Sequence, residues 1–240
     1  MPETKWKHNL LWLSFFSVSM GFLESAVVVY LRKIYYPYGF EFPMTPIEGP
    51  IAITELFREL ATLIMLFSVS LIAGKTLKQR FAYFIFCFAI WDIFYYIFLY
   101  LLIGWPQSLL TWDILFLIPV TWTGPVIAPI LVSLTMTGAA LYILIRNSKN
   151  KKIKLNILRW CFFIAGSLLI FLSFIWDYSS YILKYYSLKE LFNLSGNPAL
   201  FDITYNYVPR HFNWFLFITG ELIVITGIIL LGIQKKKAEE

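Results

Sequence analysis

The chain has 240 residues, of which 59% are hydrophobic and only 14% charged, with a formal net charge of +6. A soluble domain carries about 25% charged residues, so this composition excludes one and points to a single integral membrane domain over residues 1–240. Most of the basic excess lies in short loops beside apolar stretches, where it reports topology, and nucleic-acid binding is excluded with it.

In chain order, Lys5 and Lys7 precede an apolar run that continues beyond Glu24 into AVVVYL. That run is too long for a signal-peptide core and lacks an A-x-A site, so it is read as an uncleaved first span. Six spans are expected, at about 10–31, 51–74, 81–103, 121–145, 156–176 and 212–233. The basic clusters Lys5/Lys7, Lys75/Lys78/Arg80, Arg146 to Lys154 and Lys235 to Lys237 all fall on one side when both termini are cytoplasmic. The expected fold is therefore all-α and polytopic, in an inner (plasma) membrane, with the lipid bilayer as its constant partner. Cys87 and Cys161 both lie in apolar runs without CxxC spacing, so neither a disulfide nor a thiolate metal site is expected.

The loops opposite the basic clusters carry their own signals. The stretch RKIYYPYGFEFPMTPIEGP is rich in proline, glycine and aromatics. The stretch GWPQSLLTWDILFLIPVTW is nearly uncharged and too short to span, and it reads as an interfacial or re-entrant segment. Pro125 and Pro129 are expected to disturb the outer end of the fourth span. Further on, Ser187 to Glu190 has a capping-box pattern that predicts a short surface helix, and Asn193-Leu194-Ser195 matches a glycosylation triplet.

The informative residues are charges inside the spans. Glu55 and Glu59 are i and i+4 on the second span and share a face, with Arg58 beside them. An ionisable group in hydrocarbon costs at least about 2.5–3.5 kcal/mol, so all three must face protein or water. Glu24, Asp92 and Glu221 lie in the first, third and sixth spans, and helical rise places them in the outer half of the bilayer with the other charges. Ser14, Ser17, Gly21 and Glu24 form a small, polar seam suited to close helix approach, and Gly220 and Gly227 mark a packing face. Tyr95 and Tyr96 share a face with Asp92 and can donate to it. Glu221 is the carboxylate most readily explained as structural.

The expected binding residues are Glu24, Glu55, Arg58, Glu59, Asp92 and Tyr96, lining a pocket that opens outward. Carboxylates with tyrosines at depth suit a small cation or cationic solute, bound and, by extension, transported with the acids as protonatable counter-charges. Two alternatives stay open. One is an embedded enzyme, metal-dependent or not, acting from the outer leaflet on a lipid or lipid-linked substrate, with an acidic pair as acid and base and Arg58 or Arg32 on a phosphate or carboxylate. The other is an accessory subunit whose charges pin helices or meet a partner's span. No cofactor is assigned. His8 and His211 are the only histidines and the paired Glu-x-x-His signature is absent, so no metal site is expected; His211 reads as an interfacial residue. GxSxG, HExxH and a phosphate-binding glycine loop are absent too.

Overall fold

The structure is a computed structural model, and it describes residues 3–149, 157–187 and 205–232. Six helices are long and apolar enough to cross a membrane: α1 (Glu3–Tyr35), α2 (Gly49–Ala73), α3 (Leu77–Ile103), α4 (Ile127–Ser148), α5 (Ile157–Ile182) and α6 (Trp214–Gly232). The chain is a polytopic membrane protein with an all-α bundle. Its outer surface carries large exposed apolar side chains such as Phe15, Phe57, Ile64, Ile72 and Ile164, as a bundle solvated by lipid tails requires. The capping-box pattern beyond Ser187, the glycosylation triplet, Lys151 to Lys154 and Lys235 to Lys237 lie outside the described residues.

Helix ends follow local chemistry. Pro50 sits in the first turn of α2, where a missing N–H costs nothing. Thr76 caps α3 by accepting the Gln79 N–H at 3.3 Å. At the other end of α3, Gly104 takes a left-handed conformation, φ 67°, and its N–H closes on the Tyr100 carbonyl at 2.9 Å. α1 runs further than its apolar core, because nothing breaks it before Pro37, so Arg32 belongs to its last turn and not to a loop.

Packing pairs α1 with α3, α3 with α4 and α5 with α6. The expected seam on α1 meets α3: a β-carbon on Gly21 would stand 3.0 Å from the Trp91 carbonyl oxygen. Beside it, Ser25 donates to the Tyr95 carbonyl at 2.9 Å. α5 and α6 cross glycine to glycine, since a β-carbon on Gly220 would meet the Gly166 carbonyl at 2.8 Å. Gly227 packs against Phe162 and Phe163. At the far end, Asn9 Nδ2 donates to the Ala73 carbonyl at 3.0 Å, tying the start of α1 to the end of α2.

The segment between α3 and α4 takes a form that the sequence did not indicate. It folds as a two-stranded antiparallel hairpin, β1 (Trp112–Phe116) and β2 (Trp122–Pro125), and no re-entrant course is seen among the described residues. Asp113 pairs with Gly124 and Ile114 with Thr123, with a bulge before the Phe116–Trp122 pair. Tryptophan, isoleucine, phenylalanine and threonine suit a half-buried pleat, and Trp122 stacks on Phe174 of α5 with ring centroids 5.8 Å apart. Because residues 122–125 are committed to β2, α4 starts at Ile127. Pro125 then ends a strand and Pro129 falls in a helical first turn, so neither disturbs the ladder.

Candidate functional site

The ends of α1, α2 and α3 that meet the hairpin enclose a cavity of about 300 Å³. Glu24, Glu55, Arg58, Glu59, Asp92 and Tyr96 all line it. The first interhelical loop closes over it: Tyr36 accepts the Thr45 N–H at 2.9 Å, and the Ile47 carbonyl accepts the Tyr205 hydroxyl at 3.2 Å. Lys75, Lys78, Arg80 and Arg146 lie at the opposite end of the bundle, so the cavity and the basic clusters are segregated.

Arg58 organises the acidic side. Its Nη2 and Nε both donate to Glu55 Oε2, at 2.7 and 2.9 Å, across one helical turn. Its Nη1 donates to Glu24 Oε1 on α1, and Thr62 adds a donor to Glu24 Oε2 at 3.3 Å. One guanidinium thus serves two carboxylates. Glu59 has a different partner, accepting the backbone N–H of Leu117 in the hairpin at 2.9 Å. Asp92 accepts from Ser133 of α4 at 2.8 Å. Its expected tyrosine donor goes elsewhere: Tyr96 donates to Asp113 Oδ2 at 3.3 Å, because the hairpin brings a carboxylate over that end of α3.

Asp113 is the residue that sequence reading missed. It sits in a nearly uncharged loop, 2% exposed, and faces Arg32 from the last turn of α1, with Nη2 to Oδ1 at 3.2 Å. The Arg32 guanidinium lies 3.6 Å from the Trp105 ring centroid and 4.5 Å from that of Phe40. Burial pushes the Asp113 carboxyl up to about 6, against the opposing pull of the Arg32 charge. The stretch WDILF has no polar–apolar alternation that marks Asp113 as buried, and it is the pairing of β1 with β2 over the helix ends that encloses it. Glu221 stands apart, accepting from Thr135 at 2.8 Å without lining the cavity.

Asp177 accepts the Tyr207 hydroxyl at 2.8 Å and the backbone N–H groups of Arg210 and His211 at 3.0 and 3.2 Å. This anchors the approach to α6, and the His211 ring takes no part in the cavity lining. Among the described residues no three His, Cys, Asp or Glu side chains gather as a metal-ligand set, and no serine, cysteine or histidine lines the cavity.

No protein-family model matches the chain, and neither a curated protein nor a solved structure matches it significantly. The geometry of the site alone therefore carries the functional reading.

Proposed function

We propose that the cavity binds a small organic cation, and that transport of such a solute is the activity this binding serves. The observation that carries the reading is a charge imbalance within one cavity. Glu24, Glu55, Glu59, Asp92 and Asp113 line it against Arg32 and Arg58. Pairing leaves Arg32 with Asp113 and Arg58 with Glu24 and Glu55, while Glu59 and Asp92 have neutral donors only. A cation entering the cavity supplies the missing counter-charge, and the faces of Trp91, Tyr95 and Tyr96 suit a weakly hydrated one. An organic cation fits better than a bare metal ion, because the acids are spread around the lining and do not converge. In the orientation set by the basic clusters the cavity faces the outside of the cell.

Glu59 is the residue to test, since its glutamine variant retains an oxygen to accept the Leu117 N–H and loses only the charge. The purified protein in an uncharged detergent is expected to bind hexyltrimethylammonium by calorimetry, and Glu59→Gln to weaken that binding about tenfold, or about 1.4 kcal/mol. In vesicles, uptake of the same permanently charged probe should fall in parallel. Equal affinity in the two proteins would sink the proposal.

A further inference from the structure

The acidic wall accounts for one pole of a ligand, and Arg32 has a feature that the cation reading leaves unused. Its side chain is 91% buried by its relative exposure of 9%, yet Nη1 has no hydrogen-bond partner. Buried donors are nearly always satisfied, and a charged one most of all. The group is not loosely placed either. Trp105 and Phe40 hold the guanidinium through their rings, and Asp113 fixes the other arm. Arg32 lines the main cavity and also an adjoining one of about 200 Å³. Tyr36 lines both cavities as well, and its oxygen already accepts the Thr45 N–H, leaving the O–H to donate.

We infer that Arg32 Nη1 seats an oxyanion, a phosphate or carboxylate group, so that the ligand is a zwitterion with its cationic centre toward Glu59 and Asp92. The inference rests on the cation reading for one pole and adds the other. A guanidinium with one arm on a carboxylate and the second unengaged suits an oxyanion better than a lysine ammonium would, because its planar fork presents donors in a fixed direction. The pairing with Asp113 also prevents the bare arginine from repelling the ligand's own cation. The same chemistry occurs in a soluble zwitterion and in a phospholipid headgroup.

Four probes separate the cases: phosphocholine, dihexanoyl phosphatidylcholine, hexyltrimethylammonium and hexyl phosphate, each titrated into the full-length protein in maltoside detergent. At least one zwitterion is expected to bind ten or more times tighter than hexyltrimethylammonium. Arg32→Lys, which keeps a charge for Asp113 but lacks the second arm, should erase that gap by weakening the zwitterions at least ten times more than hexyltrimethylammonium. Should Arg32→Lys not fold, Arg32→Gln combined with Asp113→Asn removes the guanidinium without stranding a charge and should give the same result. Preference for phosphocholine marks a soluble solute, and preference for dihexanoyl phosphatidylcholine a lipid headgroup. If hexyltrimethylammonium binds as tightly as both zwitterions, or the Arg32 variants weaken every probe equally, the oxyanion seat is wrong and the cation reading survives. If hexyl phosphate matches the zwitterions while hexyltrimethylammonium fails to bind, the cation reading is wrong and the zwitterion falls with it. Failure of all four probes overturns both.

Discussion

The residues of the cavity divide into those whose charge is spent within the fold and those whose charge is not. Arg58 holds two carboxylates, so its removal would strand Glu24 and Glu55 together at low exposure. Asp113 and Arg32 form the second pair, and breaking a buried pair costs about 3–5 kcal/mol because the survivor is left uncompensated. Arg32→Gln, which leaves the buried Asp113 carboxylate without its counter-charge, should therefore lower the melting temperature in detergent at neutral pH. The pH dependence of the native protein follows from the same residue. Burial raises the Asp113 carboxyl from its ordinary 3.8 to about 6, so between these values the folded protein holds more of the proton than the unfolded chain does. This group's contribution to stability is thus fully present below about 3.8 and is lost as pH rises through about 6. A melting series from pH 4 to pH 7.5 should show a declining component with its end near 6, and that component should be missing in Asp113→Asn. Its persistence in the variant would assign the titration to another group.

At the scale of elements, the hairpin does most to make the site. It delivers Asp113 to Arg32 and Tyr96, and the Leu117 N–H to Glu59, from one short loop. It is held from outside by Trp122 on Phe174, so α5 helps place residues of a cavity that it does not line. α5 in turn depends on its crossing with α6. A β-carbon on Gly166 would meet Val224 Cγ2 at 2.6 Å and the Gly220 carbonyl at 2.8 Å, closer than packed atoms sit. Gly166→Val should separate the two helices and cost about 1–3 kcal/mol, read as a lowered detergent melting temperature. Because Trp122 leans on α5, the variant should also weaken probe binding. An unchanged melt would show that this crossing yields easily.

For the whole molecule, the even number of spans puts both ends of the bundle chain on one side, and the described basic residues Lys75, Lys78, Arg80 and Arg146 lie at the end remote from the cavity. The positive-inside rule then predicts cytoplasmic termini and a cavity on the outer side. Single cysteines at Thr45 and at Lys78, in a background without Cys87 and Cys161, should react differently with a membrane-impermeant maleimide in intact cells. Labelling at position 45 alone is expected, and labelling at position 78 alone would invert the orientation.

What the sequence determined by itself is the part governed by solvent transfer. Twenty or so apolar residues in a row must span, a charge within them must find protein or water, and glycine at helical spacing permits close approach. Those rules were enough for six spans, for the seam at Gly21, and for Glu24, Glu55, Arg58, Glu59, Asp92 and Tyr96 as residues to watch, and the structure lays all six on one cavity. Partnerships were another matter. Tyr96 shares a helix face with Asp92 but bonds Asp113, and Asp92 finds Ser133 on a neighbouring helix. Such choices depend on distances between elements far apart in the chain, which periodicity within one helix does not encode. The hairpin was decided by tertiary structure for the same reason. Its strands are short, a pair of them alone is marginal in water, and tertiary contacts such as Trp122 on α5, Thr123 on Tyr207, and Asp113 and Leu117 on α1, α2 and α3 hold them paired.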